Sequence, residues 1–214
     1  AHEQTFGLSR LLDLSRAMAE MFHPVGVCRV IARPFVGNAK IGLSRTESRK
    51  DFSIPPPRDN LCDRVSSSGN RCWGIGKIGD IFNNRSVTTF ATGMSDKKLF
   101  AKLLELVDIA KDKDLIFANF VEFDSLFGHR RDVSGYARAL EHFDKLLPRL
   151  IEKLTPEDLL IITADHGNDP TFRGTDHTRE RVPVLIISDS VPDGSYGVID
   201  FSDVGETIAT HLGL

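Results

Sequence analysis

The stretch DLLIITADHGNDPTFRGTDHTR, residues 158–179, decides which fold this sequence predicts. Its apolar beginning, up to Ile162, is typical of a buried strand, and the adjacent pair Asp165 and His166 follows directly. A third possible ligand, His177, lies in the loop beyond. Open α/β folds bind their ligands at the carboxyl ends of parallel strands. The stretch therefore predicts a parallel α/β sheet with a metal site at its C-terminal edge.

Asp165 and His166 can serve one ion only if the chain turns after the strand, because neighbouring side chains on a strand point to opposite faces. Gly167 follows them and permits such a turn, since it has no Cβ. The alternative interpretation is a polar loop after a buried strand, in which His166 is a hydrogen-bonded turn residue.

A second cluster of the same kind is NFVEFDSLFGHRRD, residues 119–132. Residues 115–121 form another apolar, β-rich run, Asp124 lies just beyond it, and His129 follows across Gly128. Both predicted strands thus deliver a carboxylate and an imidazole to the same sheet edge. Nitrogen and oxygen donors without thiolate suit manganese, zinc or iron. Together with His177 the ligands exceed what one small ion takes, so we hypothesise two ions about 3.5–4 Å apart.

Three segments resemble the phosphopentomutases, a family of cytoplasmic enzymes within the alkaline phosphatase superfamily. They are GHRRD at residues 128–132, TADHG at 163–167 and GTDHTRE at 174–180. The resemblance continues upstream through residues 29–37 and 76–81, and it is weakest over residues 83–97. TADHG alone would be less decisive, because cofactor-independent phosphoglycerate mutases carry a similar stretch.

The resemblance also identifies what this chain lacks. Residues 1–3 match a point inside the family's cap domain, and nothing matches the strand with the early metal-binding Asp or the nucleophilic Thr. We therefore expect the C-terminal part of a longer protein, with no catalytic nucleophile of its own and little or no activity alone. Glu122 is a small departure, since the family more often has Asp there.

The resemblance implies a metal-ligand set in which Asp124, His129 and His177 bind one ion. Asp165 and His166 bind the other, whose remaining ligands lie in the segment that this chain lacks. Two divalent cations, Mn²⁺ by preference, are thus expected in the full-length enzyme. About one is expected in this chain alone.

The substrate-binding residues implied by the resemblance are Arg29, Arg45 and Lys77. Arg29 and Arg45 are the preferred ligands for the non-reacting phosphate of the sugar, because a guanidinium fork matches paired phosphate oxygens. The alternative for each is an ordinary solvated surface charge.

The composition argues against several classes of partner. A net charge of −3 gives no broad attraction to nucleic acid or to an acidic membrane. No apolar run is long enough to span a bilayer. The 3 cysteines are odd in number and lack metal or redox spacing, which favours a reduced, cytoplasmic setting. Small pentose phosphates are the expected partners, and the sequence leaves the oligomeric state open.

The order of predicted elements indicates an α/β fold, a mostly parallel sheet with helices on both faces, like an incomplete alkaline phosphatase core. The stiff run Pro55-Pro56-Pro57 marks a domain boundary between a partial cap, residues 1–57, and part of the catalytic core, residues 58–214. The predicted strands are 25–31, 72–77, 115–121, 158–163 and 182–187. The predicted helices are 6–22, 60–68, 97–109, 133–154 and 204–211. Residues 37–53 are expected to form a polar loop, and residues 83–93 are turn-rich.

By resemblance, the full-length enzyme interconverts ribose 1-phosphate and ribose 5-phosphate, and the 2-deoxyribose pair, by two-metal phosphoryl transfer through a phosphothreonine. Three alternatives stay open. The first is a phosphoglycerate mutase or phosphatase of the same superfamily. The second is a non-catalytic remnant that binds metal or sugar phosphate, and the third is a purely structural domain.

Overall fold

The computed structural model of the chain describes residues 1–214, which form two compact units, Ala1–Arg58 and Asp59–Leu214. The predicted boundary at Pro57 lies next to this division. The assignment of the first unit as a partial cap domain and of the second as part of a catalytic core stays a prediction.

The first unit combines one long helix with two antiparallel strand pairs. A short π-helix, Glu3–Gly7, precedes α1, Leu8–Phe22. Strand β1, Arg29–Ala32, pairs with β4, Lys50–Ser53, and β2, Phe35–Asn38, pairs with β3, Gly42–Arg45. The prediction of a polar loop at residues 37–53 was therefore wrong. These strands lack apolar alternation because β3 is exposed along its whole length, so their pairing leaves little trace in the hydrophobic pattern.

The second unit is built around a parallel sheet of three strands in the order β6-β5-β7. The strands are β5, Cys72–Ile75, β6, Thr88–Ala91, and β7, Leu115–Ala118. The helices are α2, Leu61–Ser67, α3, Ile78–Ile81, α4, Asp96–Val107, α5, Val133–Ile151, and α6, Phe201–Leu212. Strand β6 lies in the turn-rich segment that gave no clear sequence signal.

Helices cover both faces of this sheet, as predicted. On one face Trp73 and Ile75 pack with α4 and with Leu150 of α5. On the other face Cys72 packs with residues of α2, α3 and α6. Alternate side chains of β5 therefore enter two separate cores, which is why this strand reads as a continuous apolar run.

Strands β8, Leu160–Thr163, and β9, Val184–Ile187, form a separate antiparallel pair. They were predicted to be buried strands of the mostly parallel sheet, and that part of the prediction was wrong. Leu185 is 57% exposed and Ile187 is 38% exposed. The sequence of a short apolar strand does not show whether it pairs parallel or antiparallel to its neighbour. Here the chain between β8 and β9 reverses direction, so the two strands pair antiparallel.

Helix α5 is continuous through Pro148 to Ile151. Pro148 has no N–H for the carbonyl of residue 144, so one helical hydrogen bond is lost, but α5 ends only three residues later at Ile151. At the other end the Asp132 side chain accepts a hydrogen bond from the Gly135 amide at 2.8 Å. No helix of the chain has both the length and the apolar character needed to cross a membrane.

Replacement of Asp132, the N-cap of α5, should destabilise the second unit measurably. We expect Asp132→Ala to lower the free energy of unfolding by about 1 kcal/mol, because the first-turn amide loses its acceptor. Urea denaturation followed by circular dichroism measures the change. Asp144→Ala, at an exposed position of the same helix, is the matched control and should change the stability little. Equal losses in the two variants would contradict a capping role.

Candidate metal centre

The segment after β7 places Asp124 and His129 on one short turn of chain. The half-buried carboxylate of Asp96, at the start of α4, accepts hydrogen bonds from the amides of Val121 and Glu122 at 3.0 and 2.9 Å. Burial raises the pKa of this Asp96 carboxyl. A π-helix, Phe123–Gly128, begins there, and the His129 amide closes it on the Asp124 carbonyl at 2.9 Å. Strand β7 and helix α4 thus fix the origin of the ligand-bearing turn.

The segment after β8 carries the other candidate ligands. Asp165 and His166 follow the strand. An isolated antiparallel bridge pairs Gly167 with Thr178, so the segment that carries His177 lies beside the one that carries His166. Gly167 does not adopt a positive φ, so its predicted part in a turn needs correction. A Cβ there would lie 2.8 Å from the Thr178 carbonyl oxygen and 2.4 Å from the Glu180 carboxylate. Glycine is required at this position for close approach of the two chain segments.

The two segments bring most of the predicted ligands together. Single ligand atoms of Asp124, His166 and His177 all lie within 4.8 Å of one another. The His177 Nε2 atom is 3.4 Å from Asp124 Oδ1, and the His129 Nε2 atom is 3.3 Å from Asp124 Oδ2. The three imidazoles are stacked, with ring centroids 3.6 Å apart for His166 and His177 and 4.9 Å apart for His129 and His177.

These residues fit a divalent cation in donor type and in orientation. The Nδ1 atom of His129 is hydrogen-bonded to the Thr175 carbonyl at 2.5 Å, which leaves Nε2 directed towards the Asp124 carboxylate. A ring nitrogen bound to a carbonyl, with the other nitrogen left for the ion, is the usual arrangement of a metal-ligating histidine. Imidazole and carboxylate donors together suit first-row divalent metals.

The predicted ligands differ in how far they enter this cluster. Asp165 lies at its margin: its side chain is 73% exposed, and its Oδ1 atom is 3.6 Å from His166 Nε2. His166 groups with Asp124 and His177, whereas the sequence-based hypothesis assigned it to a different ion. The division of the ligands between two ions stays a prediction.

The predicted substrate-binding residues lie outside this cluster. In the first unit Arg29 is 3.6 Å from the Asp51 carboxylate, which also receives two hydrogen bonds from Arg49. The hydrogen bonds and charge of Arg49, with the charge of Arg29, lower the pKa of Asp51 despite its burial. Arg45 is an exposed residue of β3, and Lys77 is the exposed N-cap of α3. Their role in binding substrate stays a prediction.

Two residues at the centre of the cluster were missed in the sequence. Asn168 is only 7% exposed and donates a hydrogen bond to Asp124 Oδ1 at 2.6 Å. Arg131 contacts both ligand-bearing segments. Their position beside ligands was the only signal available, because neither asparagine nor arginine is a common metal ligand.

Comparison with known proteins agrees with this geometry. A family model described as the metalloenzyme superfamily matches residues 75–214. The phosphopentomutase of Rhizobium meliloti (strain 1021) is 51% identical over 215 residues, which cover 100% of this chain and 53% of the relative. The phosphopentomutases of Chelativorans sp. (strain BNC1) and Agrobacterium fabrum are 51% and 46% identical with the same coverage. The chain spans about half the length of the curated relatives that it matches.

Among solved structures, the PH0037 protein from Pyrococcus horikoshii has a similar fold. The TM-score is 0.59, at 13% sequence identity, and the match covers 95% of this chain and 63% of the other. At this identity the likeness concerns the fold alone. The predicted resemblance to phosphopentomutases and the α/β fold class are both confirmed.

Proposed function

Because this chain belongs to the metalloenzyme superfamily and phosphopentomutases match it along its whole length, we propose that it carries the metal-binding part of a phosphopentomutase. The protein that contains it would interconvert the 1-phosphate and 5-phosphate of ribose or 2-deoxyribose. Its cofactors would be two divalent cations, with Mn²⁺ preferred, and we propose a cytoplasmic location.

The observation that supports this proposal best is the meeting of ligand atoms from two distant segments. Asp124 comes from the segment after β7, and His166 and His177 come from the segment after β8, yet their ligand atoms lie within 4.8 Å of one another. One carboxylate and two imidazoles supply mixed oxygen and nitrogen donors, which suit a first-row divalent metal ion. The family supplies the partner, a divalent metal ion.

The residues of this chain would hold and orient the reacting groups. When bound, the divalent ions neutralise charge on the transferring phosphoryl group and favour an in-line displacement. Asp124, His129 and His177 would hold one ion, and Asp165 and His166 would contribute to a second. The hydrogen bond from His129 Nδ1 to the Thr175 carbonyl fixes the imidazole in its metal-binding tautomer. Catalysis of this type depends mainly on positioning and electrostatics.

Basic side chains would bind the phosphate that does not react. For Arg29 this requires competition with the Asp51 carboxylate, which lies 3.6 Å from its guanidinium. A phosphate dianion offers more charge and more acceptor oxygens than one carboxylate, so it can displace this contact. Arg45 is exposed and can take part without breaking an ion pair of its own. Lys77 is proposed as a substrate-binding residue without assignment to this phosphate.

A substrate panel on the protein as its organism makes it tests the proposed activity. We expect conversion of ribose 1-phosphate or 2-deoxyribose 1-phosphate into the 5-phosphate, dependent on added Mn²⁺ and abolished by a chelator. The 214-residue chain by itself should show little or no conversion, because it spans about half the length of the phosphopentomutases that it matches. Mutase activity on 3-phosphoglycerate, or simple release of phosphate from all substrates, would contradict the proposal.

A further inference from the structure

The guanidinium of Arg131 contacts both segments that carry the candidate metal ligands. Its Nε atom donates to the Gly174 carbonyl at 2.6 Å, and its Nη2 atom donates to the Asp176 carbonyl at 2.6 Å. Its Nη1 atom reaches the carbonyls of Gly128 at 3.1 Å and Asp169 at 2.9 Å. Asp176 directly precedes His177, so this side chain fixes the backbone from which that imidazole projects.

The same guanidinium also acts on Asp124 through one intermediate residue. Arg131 Nη1 donates to Asn168 Oδ1 at 2.6 Å, and Asn168 Nδ2 donates to Asp124 Oδ1 at 2.6 Å. Asn168 is 7% exposed, so few water molecules compete for its amide. Each partner of the guanidinium is a neutral carbonyl oxygen, so these hydrogen bonds leave its positive charge in place to polarise the amide towards the carboxylate.

The backbone is adapted to this arrangement at two positions. A Cβ on Gly128 would lie 2.6 Å from Asn168 Nδ2 and 2.8 Å from its Cγ, so a side chain there would displace the amide from Asp124. Arg131 itself has a φ of 55°, in the left-handed region that arginine rarely adopts. Such backbone strain persists only where the surrounding contacts fix the residue, and the hydrogen bonds of the guanidinium do so here.

We propose that Arg131 is a positioning residue for the metal centre: through Asn168 it orients the Asp124 carboxylate, and through the Asp176 carbonyl it places His177. The proposal rests on the metal site in the proposed function and assigns a role to two residues outside the ligand set. An arginine suits this role because its planar fork can satisfy several carbonyl groups at fixed angles, which a lysine ammonium cannot.

Mn²⁺ binding to the 214-residue chain tests this role, followed by the electron paramagnetic resonance of the free ion. We expect Arg131→Lys, which keeps the charge and the Cβ, to weaken binding by about 10- to 100-fold, as loss of an outer partner usually does. Asn168→Leu should also weaken binding, because Asp124 loses its donor. The double variant should bind as Arg131→Lys alone does, since the two residues act in series.

Two further measurements separate positioning from a general effect on folding. Arg130→Lys, at the exposed neighbouring position, is the matched control and should bind Mn²⁺ like the unaltered chain. Low-millimolar guanidinium should restore Mn²⁺ affinity to Arg131→Ala, which it would not do for a variant that is merely unfolded. Without metal, the Thr178 amide, which donates to the Gly167 carbonyl at 3.1 Å, should exchange with solvent faster in Arg131→Lys.

The possible outcomes separate the positioning role of Arg131 from the proposed metal site on which that role rests. If the unaltered chain binds Mn²⁺ and His177→Ala does not, while Arg131→Lys binds as tightly as the unaltered chain, only the positioning role is wrong. Losses that add in the double variant would also contradict it. If the unaltered chain binds no Mn²⁺, the metal site and the positioning role fail together.

Discussion

His177→Ala should weaken Mn²⁺ binding to this chain by about 100-fold or more, since loss of a direct ligand exceeds the effect of losing an outer partner. The unaltered chain should bind about one ion, held by Asp124, His129 and His177. His177 stacks on both other imidazoles, and its Nε2 atom is 3.4 Å from Asp124 Oδ1. Its removal therefore takes a donor from the centre of the cluster. Titration with Mn²⁺, read by electron paramagnetic resonance, measures the affinity.

His142→Ala is the matched control for this experiment. His142 is an exposed histidine on α5, outside the ligand cluster, so the variant should bind Mn²⁺ like the unaltered chain. Circular dichroism should show the same helix content in both variants. If His177→Ala and the unaltered chain bind Mn²⁺ alike, the assignment of Asp124, His129 and His177 as ligands is wrong.

The sequence alone indicated which residues meet, because the ligand types follow apolar strands. A carboxylate and an imidazole follow each of two strands, and most of these ligands do meet, although β7 and β8 lie in separate sheets and not at the one sheet edge that was predicted. The same pattern says nothing about Asn168 and Arg131. Their importance comes from burial and from hydrogen bonds to carbonyl oxygens more than 35 residues away in sequence. Such contacts exist only once both loops have folded.

The fold was predictable where apolar periodicity is strong and obscure where it is weak. Helices α4 and α5 bury one face, so the spacing of their apolar residues identified them. Strands β2, β3 and β4 are short, and β3 and β4 are largely polar, so their pairing depends on backbone hydrogen bonds that leave no hydrophobic pattern. The antiparallel direction of β9 is set by the loop before it, which a periodicity argument does not describe.

A buried carboxylate remote from the metal cluster holds together the N-terminal end of α2 and the segment before β6. Asp63 is 8% exposed and accepts hydrogen bonds from Arg85 Nε at 3.0 Å, Ser86 Oγ at 2.6 Å and the Asn60 amide at 2.9 Å. The Asn60 side chain in turn accepts from the amides of residues 62 and 63, which completes a capping box. The Asp63 side chain thus takes part in the capping box of α2 and also binds the segment before β6.

Asp63→Ala should lower the free energy of unfolding by about 3 kcal/mol, because it removes one partner of a largely buried ion pair and, with it, the acceptor of the Asn60 amide in the capping box of α2. Asp59→Ala is the matched control: Asp59 also pairs with Arg85, but its side chain is 83% exposed, so the loss should stay below about 1 kcal/mol. Urea denaturation measures both variants. Equal losses would show that the exposed pair Arg85–Asp59 contributes as much stability as the buried pair Arg85–Asp63. That result would contradict the claim that burial strengthens the contribution of Asp63.

The pH dependence of the free energy of unfolding, compared between the unaltered chain and Asp63→Ala, provides a second test. Burial raises the pKa of Asp63, but the hydrogen bonds from Ser86 and the Asn60 amide, with the charge of Arg85, outweigh it and lower the pKa below the ordinary value. A lowered pKa in the folded state means that the carboxylate stabilises the fold above its unfolded pKa, and that this stability is lost as the pH falls through the folded value. The difference between the unaltered chain and Asp63→Ala should therefore be complete at neutral pH and narrow below about pH 4. A difference that stays constant through that range would mean that Asp63 acts by packing alone, without its charge.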